Sequence, residues 1–143
     1  MTSYDPDNIF AKILRGELPA YKVYEDDKTL AFLDIMPRAP GHTLVIPKAP
    51  ARNVFDIAEE DFLNVARTTR RIARVAVDVF KADGVTLQQL NGKAGGQFVF
   101  HLHMHIMPRF DGVALRPGMS HKEDPETLKD HQARLSAAIK AAG

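Results

Sequence analysis

The chain has 143 residues, 19 Lys and Arg against 18 Asp and Glu, a formal net charge of +1, and no cysteine. That balance speaks against a nucleic-acid or membrane-surface protein, whose anionic partners select basic faces, and the missing thiols exclude disulfides and cysteine catalysis. No apolar run reaches the roughly 18 residues of a membrane span, and Met1 to Asp7 is polar rather than signal-like, so one cytoplasmic domain over residues 1–143 is expected.

Asp7 or Asn8 can cap a short helix whose Ile9, Phe10, Ile13 and Leu14 form an apolar stripe, with Gly16 as its stop. Residues 21–25 and 29–34 read as two strands joined by the turn Glu25-Asp26-Asp27-Lys28. Met36 to Gly41 holds two prolines and a glycine and reads as a loop, and residues 42–47 form a third strand. A long helix follows over about 59–81. Phe62, Val65, Ile72, Ala76 and Val79 mark its apolar face, and Arg67, Arg70, Arg71 and Arg74 lie opposite. The arginines read as a solvated face rather than an anion site. Residues 85–90 form a fourth strand. Asn91-Gly92-Lys93-Ala94-Gly95-Gly96-Gln97 suits either a tight approach to a ligand or an ordinary turn, and it is neither a Walker loop nor a dinucleotide fingerprint. Asp124-Pro125-Glu126 opens a last helix, with Leu128, Leu135 and Ile139 on one side.

The stretch His101-Leu102-His103-Met104-His105-Ile106-Met107 holds half of the six histidines. Strict alternation predicts a fifth strand with the three imidazoles on one face, roughly 6–7 Å apart at their Cα atoms. Three chemistries fit: a metal site, since imidazole suits zinc, iron or copper; nucleophilic or acid–base catalysis, since neutral imidazole needs no tuning at pH 7; and a structural role in hydrogen bonding the backbone. Nearby glycines and the lack of an adjacent carboxylate favour a phosphoryl centre over a catalytic zinc. His42 could act as a fourth histidine.

Gly95 to Arg109 resembles the His-φ-His-φ-His-φ-φ motif (φ apolar) of the histidine triad (HIT) superfamily. Ile9-Phe10-Ala11-Lys12-Ile13, Ala31-Phe32-Leu33-Asp34-Ile35 and Pro40 to Lys48 are similar to its Hint-like branch. The resemblance covers about residues 8–110, leaving 111–143 as an extension. It implies an α+β fold: an antiparallel sheet of about five strands, one long helix, short N- and C-terminal helices, and a homodimer. It implies that a purine nucleotide of AMP or GMP type is cleaved at its α-phosphate, without cofactor or metal. The rival is a nucleotide-binding or scaffold protein with incidental turnover. Within the resemblance His103 would be the nucleophile, and His105 would contact phosphate and help the leaving group. His101 would orient its neighbours, and His42 would hydrogen-bond toward His103 and the phosphate. Gln97 and Asn91 would serve the phosphate or leaving-group side, and Asp34 the ribose. Ile9, Phe10, Phe32 and Ile35 would wall the purine. Two positions depart from the pattern: Phe98, commonly serine or threonine, and Leu90, often asparagine.

Overall fold

The computed structural model describes residues 3–143; Met1 and Thr2 of the polar lead-in lie outside the described residues. The order is α1 (Ile9–Leu14), β1 (Lys22–Glu25), β2 (Thr29–Leu33), β3 (Thr43–Pro47), α2 (Glu59–Phe80), β4 (Gly84–Gln89), β5 (Met104–Arg109) and α3 (Pro125–Ala142). The five strands form one antiparallel sheet in the order β1-β2-β3-β5-β4.

Local chemistry sets the element ends. Asn8 caps α1 by accepting from the Ala11 N–H at 2.9 Å. Asp26 shapes the β1–β2 turn, with Oδ1 accepting from the N–H groups of Lys28 (2.8 Å) and Thr29 (2.7 Å). Asp124 caps α3 through the Glu126 N–H, with Pro125 in the first turn. The long helix stops one residue short of the expected end: Lys81 adopts a left-handed conformation (φ 52°) and serves as its C-cap.

Both faces of the sheet are covered at its central strands. The residues of β2 and β3 are all buried, and their alternation divides two cores. Ala31, Leu33, Val45 and Ile106 face α2, where Val65, Ile72 and Ala76 meet them. Leu128, Leu135 and Ile139 of α3 complete this core, so the C-terminal extension is integral to it. Leu30, Phe32, Leu44 and Ile46 face the other way and pack on Phe10 and Ile13 of α1. On that α1 side Phe32 pairs with Leu44, Leu44 with His105, and His105 with Gln88, a row running across four strands. The arginine face of α2 is largely in solvent, with Arg67 in an exposed ion pair to Glu60 (3.3 Å).

Candidate active site

A cavity of about 440 Å³ opens on the α1 side of the sheet, within the usual size range of small-molecule sites. The Phe32–Leu44–His105–Gln88 row forms its floor, and Ile9, Phe10, Asp34, Ile35 and Phe98 line it with His42 and His103. Of the residues expected to bind substrate, Ile9, Phe10, Phe32, Asp34, Ile35 and Phe98 therefore converge, and Gln97 and Asn91 do not.

Gln97 is buried with its amide fully engaged. Its Oε1 accepts from Asn53 Nδ2 (3.0 Å) and the Gly92 N–H (2.8 Å), and its Nε2 donates to the carbonyls of Arg52 (2.7 Å) and Val99 (3.0 Å). This corrects the expected phosphate contact: the amide ties the 92–97 loop to the 52–53 loop. Asn91 is likewise committed, accepting from the Val54 N–H (2.8 Å) and exchanging hydrogen bonds with Gln89.

The expected row of three strand histidines is also corrected. β5 begins at Met104, so only His105 is in the ladder. The β3–β5 pairing stops at Val45↔Met104, because β3 ends in Pro47, which has no N–H to continue it. The Pro47 carbonyl instead takes the His101 ring at Nε2, 2.8 Å away, and the Leu102 N–H bonds to the Ala51 carbonyl. His101 thus lies fully buried behind the cavity, while the rings of His103 and His105 (centroids 4.9 Å apart) and of His42 and His105 (5.1 Å) cluster at it. Phe10 meets His103 edge-on at 4.9 Å.

Neighbours fix the tautomers, because a carbonyl can only accept and a backbone N–H can only donate. His103 Nδ1 lies 2.8 Å from the His101 carbonyl and so carries its proton, leaving Nε2 with a lone pair. The Arg38 N–H donates to His42 Nδ1 (3.0 Å), which puts the His42 proton on Nε2. That Nε2 is 2.9 Å from His105 Nδ1, which must accept, so His105 carries its proton on Nε2. The expected bond from His42 to His103 is therefore made to His105 instead. Burial opposes the imidazolium form throughout: it pulls His42 to about 4 and His105 to about 3, with charge repulsion from His103 adding to both, and lowers His103 as well. Burial also raises the Asp34 carboxyl above its ordinary range.

Asp34, His42 and His105 bring one potential metal-ligand atom each to within 4.8 Å of one another. The hydrogen bonds oppose a metal there. A metal on His42 Nε2 would force the proton onto Nδ1, against the Arg38 N–H. Asp34 Oδ1 is engaged by the Met36 N–H at 2.8 Å, and its Oδ2 lies 3.7 Å from His42 Nε2.

Three features of the site had no counterpart in the sequence reading. Tyr4 hydrogen-bonds His101. Arg38 supplies the N–H that sets the His42 tautomer. Gly118 and Met119 reach the cavity from the C-terminal extension. That extension is tied to the loop before β3 by the Arg116 N–H to the Arg38 carbonyl (2.9 Å) and the Glu123 N–H to the Ile35 carbonyl (3.0 Å). Ile13 also lines the cavity, and its place on the same stripe as Ile9 was the available signal.

The family model for the HIT domain matches residues 15–112. The protein named Protein hit of Bacillus subtilis is 46% identical over 136 residues, spanning 92% of this chain and 93% of that one. Among solved structures, a Hit-like protein involved in cell-cycle regulation from Bartonella henselae superposes with a TM-score of 0.89 at 45% identity, covering 95% of this chain and 99% of that one. A Zn-bound histidine triad family protein from Mycobacterium smegmatis gives 0.85 at 37% identity, covering 95% of each chain. With His42, His103 and His105 gathered at one cavity and its sequence matched over this span, the chain belongs to the HIT domain family.

Proposed function

We propose that the protein is a hydrolase acting on purine nucleotides of AMP or GMP type, cleaving a phosphoramidate or phosphoanhydride bond at the α-phosphate. The observation that carries this reading is the His103 ring: it lines the cavity, its Nδ1 proton is held by a carbonyl, and its Nε2 lone pair has no hydrogen-bond partner among the described residues. Nε2 attacks phosphorus, the bond to the leaving group breaks, and the leaving amine takes its proton from solvent. The His101 carbonyl stabilises the positive ring of the nucleotidyl-histidine through the same Nδ1–H. His105, held by His42, presents its Nε2–H to the phosphoryl oxygens. Water then attacks, the P–N bond breaks, the electron pair returns to Nε2, and the nucleoside 5′-monophosphate leaves. Asp34 accepts from the ribose, and Ile9, Phe10, Phe32 and Ile35 hold the purine. The scheme uses no metal and no organic cofactor. We also place the protein in the cytoplasm as a homodimer; no described helix is long and apolar enough to cross a membrane.

Incubation with an α-labelled adenosine phosphoramidate, a basic quench and peptide mapping should place the adduct on His103. His103→Ala should stay folded and lose several orders of magnitude in kcat. Label on His101 or His105, or near-normal turnover in the variant, would overturn the assignment. A second reading, nucleotide binding with incidental turnover, draws on Leu90 and Phe98, two apolar residues lining the cavity. Tight nucleoside monophosphate binding with negligible steady-state hydrolysis would select it.

A further inference from the structure

His101 is the one member of the row that touches no substrate in this scheme. It is fully buried, yet both of its ring nitrogens are satisfied. Nε2 faces the Pro47 carbonyl at 2.8 Å and must donate. Burial keeps the ring neutral, holding it near 4, so its second nitrogen, Nδ1, can only accept. The group opposite Nδ1 is the Tyr4 hydroxyl, 2.6 Å away and 97 residues distant in sequence. The two rings meet edge-on with centroids 5.6 Å apart.

Tyr4 is itself held. The Asn8 N–H bonds to the Asp5 carbonyl (3.3 Å), and Arg15 Nη1 donates to the Pro6 carbonyl (2.7 Å), so the segment before α1 is laced to that helix. Phe10, on the first turn of α1, touches the His103 ring. The N-terminal segment therefore meets the histidines twice, once at His101 and once at His103. The link between those points is a single backbone group: the His101 carbonyl, which accepts the His103 Nδ1 proton at 2.8 Å. With the Tyr4 hydroxyl gone, a buried acceptor would be left unsatisfied, and the ring could relieve this only by turning or shifting. A shift that carries the ring's Cβ with it displaces the adjoining carbonyl.

We infer that Tyr4 is a positioning residue for nucleotidyl transfer to His103: its hydroxyl closes off His101 Nδ1 and so fixes the carbonyl that keeps the His103 proton on Nδ1. This rests on the reading of His103 as nucleophile. It gives the segment preceding the family-matched span a role in the chemistry without contact to the substrate.

The test is Tyr4→Phe in the full chain, which removes the hydroxyl and keeps the ring, with the unaltered protein alongside. Nitrogen-15 correlation spectra of the imidazoles at pH 7, without nucleotide, report each tautomer. Rapid-quench kinetics with an adenosine phosphoramidate report adduct formation. The unaltered protein should show His103 as one Nδ1–H tautomer. The variant should show a tautomer mixture at His103 and an adduct rate lower by about tenfold, a small displacement at a reacting group being enough for that. Its KM should move by less than about twofold, because the substrate contacts are untouched. An unshifted His103 tautomer together with an unchanged adduct rate would reduce Tyr4 to an anchor of the N-terminus and overturn the inference. If the unaltered protein forms no adduct, the proposed reaction falls, while the imidazole spectra still decide whether Tyr4 sets the tautomer.

Discussion

Burial strips His42, His101 and His105 of the water that would stabilise an imidazolium, and this ties stability to pH. Their folded values of about 4, 4 and 3 lie below the ordinary 6.5. Between about pH 6.5 and 4 the unfolded chain therefore binds more protons than the folded one, and stability rises with pH across that window. The contribution is complete above about pH 6.5 and is lost as pH falls through the folded values, at roughly 3 kcal/mol for one histidine shifted this far. Thermal midpoints should be level from pH 7 to 8 and drop steeply toward pH 4; a level midpoint down to pH 4 would mean that the imidazoles are solvated. Phe98 poses a different question at the same scale. It lines the cavity yet is 74% exposed, so it does little packing. Phe98→Ser should leave the melt unchanged and raise turnover on a phosphoramidate, since a hydroxyl bond to a charged phosphate is worth about 1.5–3 kcal/mol. Reduced turnover with unchanged melting would show that the ring itself holds the substrate.

Among the elements, the 92–97 loop depends most on one side chain. Gln97 makes four hydrogen bonds, to Asn53, Gly92, Arg52 and Val99. Gln97→Ala strands these groups in a buried place and should lower unfolding free energy by about 2–4 kcal/mol in denaturant titration. Unchanged stability with weakened nucleotide monophosphate binding would return Gln97 to the phosphate. The first four strands were legible from short apolar and β-branched runs bounded by turn residues, and their observed bounds differ from the expected ones by about a residue. β5 differs by three at its start. Period-two alternation continues through His101 and His103 although the ladder has stopped, because extended backbone keeps the pattern whether or not a partner strand is present.

For the molecule as a whole, the two sheet edges differ. β1 is covered by α3, with Gln132 Nε2 on α3 donating to the Lys22 carbonyl (3.0 Å). β4 is the other edge, and its Val85 and Leu87 are exposed on the α2 side of the sheet. Phe98, in the connection that follows β4, and Phe55, in the loop before α2, are the most exposed large apolar residues among those described. Open edges and apolar surface of this kind favour pairing with a second copy. Light scattering at micromolar concentration should give about twice the chain mass of 15.9 kDa; a value near the single chain would refute the dimer.

By itself the sequence determined the family and the order of elements. A run rich in β-branched residues at 43–46, a helix stripe from Phe62 to Val79, and three histidines spaced by two are local patterns, and local sterics and burial translate them directly. What only the tertiary structure decided is which groups share a hydrogen bond. The family resemblance implies a phosphate-side role for Gln97, but two of its four partners, Arg52 and Asn53, are about 45 residues upstream in a separate loop. His42 reaches His105 rather than His103 because the register sets Leu44 opposite His105. Tyr4 meets His101 from the far end of the chain, and Met119 enters the cavity because backbone bonds at Arg116 and Glu123 bring its segment there. Proton placement depends on these meetings: an imidazole is symmetric in the sequence and becomes a donor on one side only when a carbonyl or an N–H is brought against it.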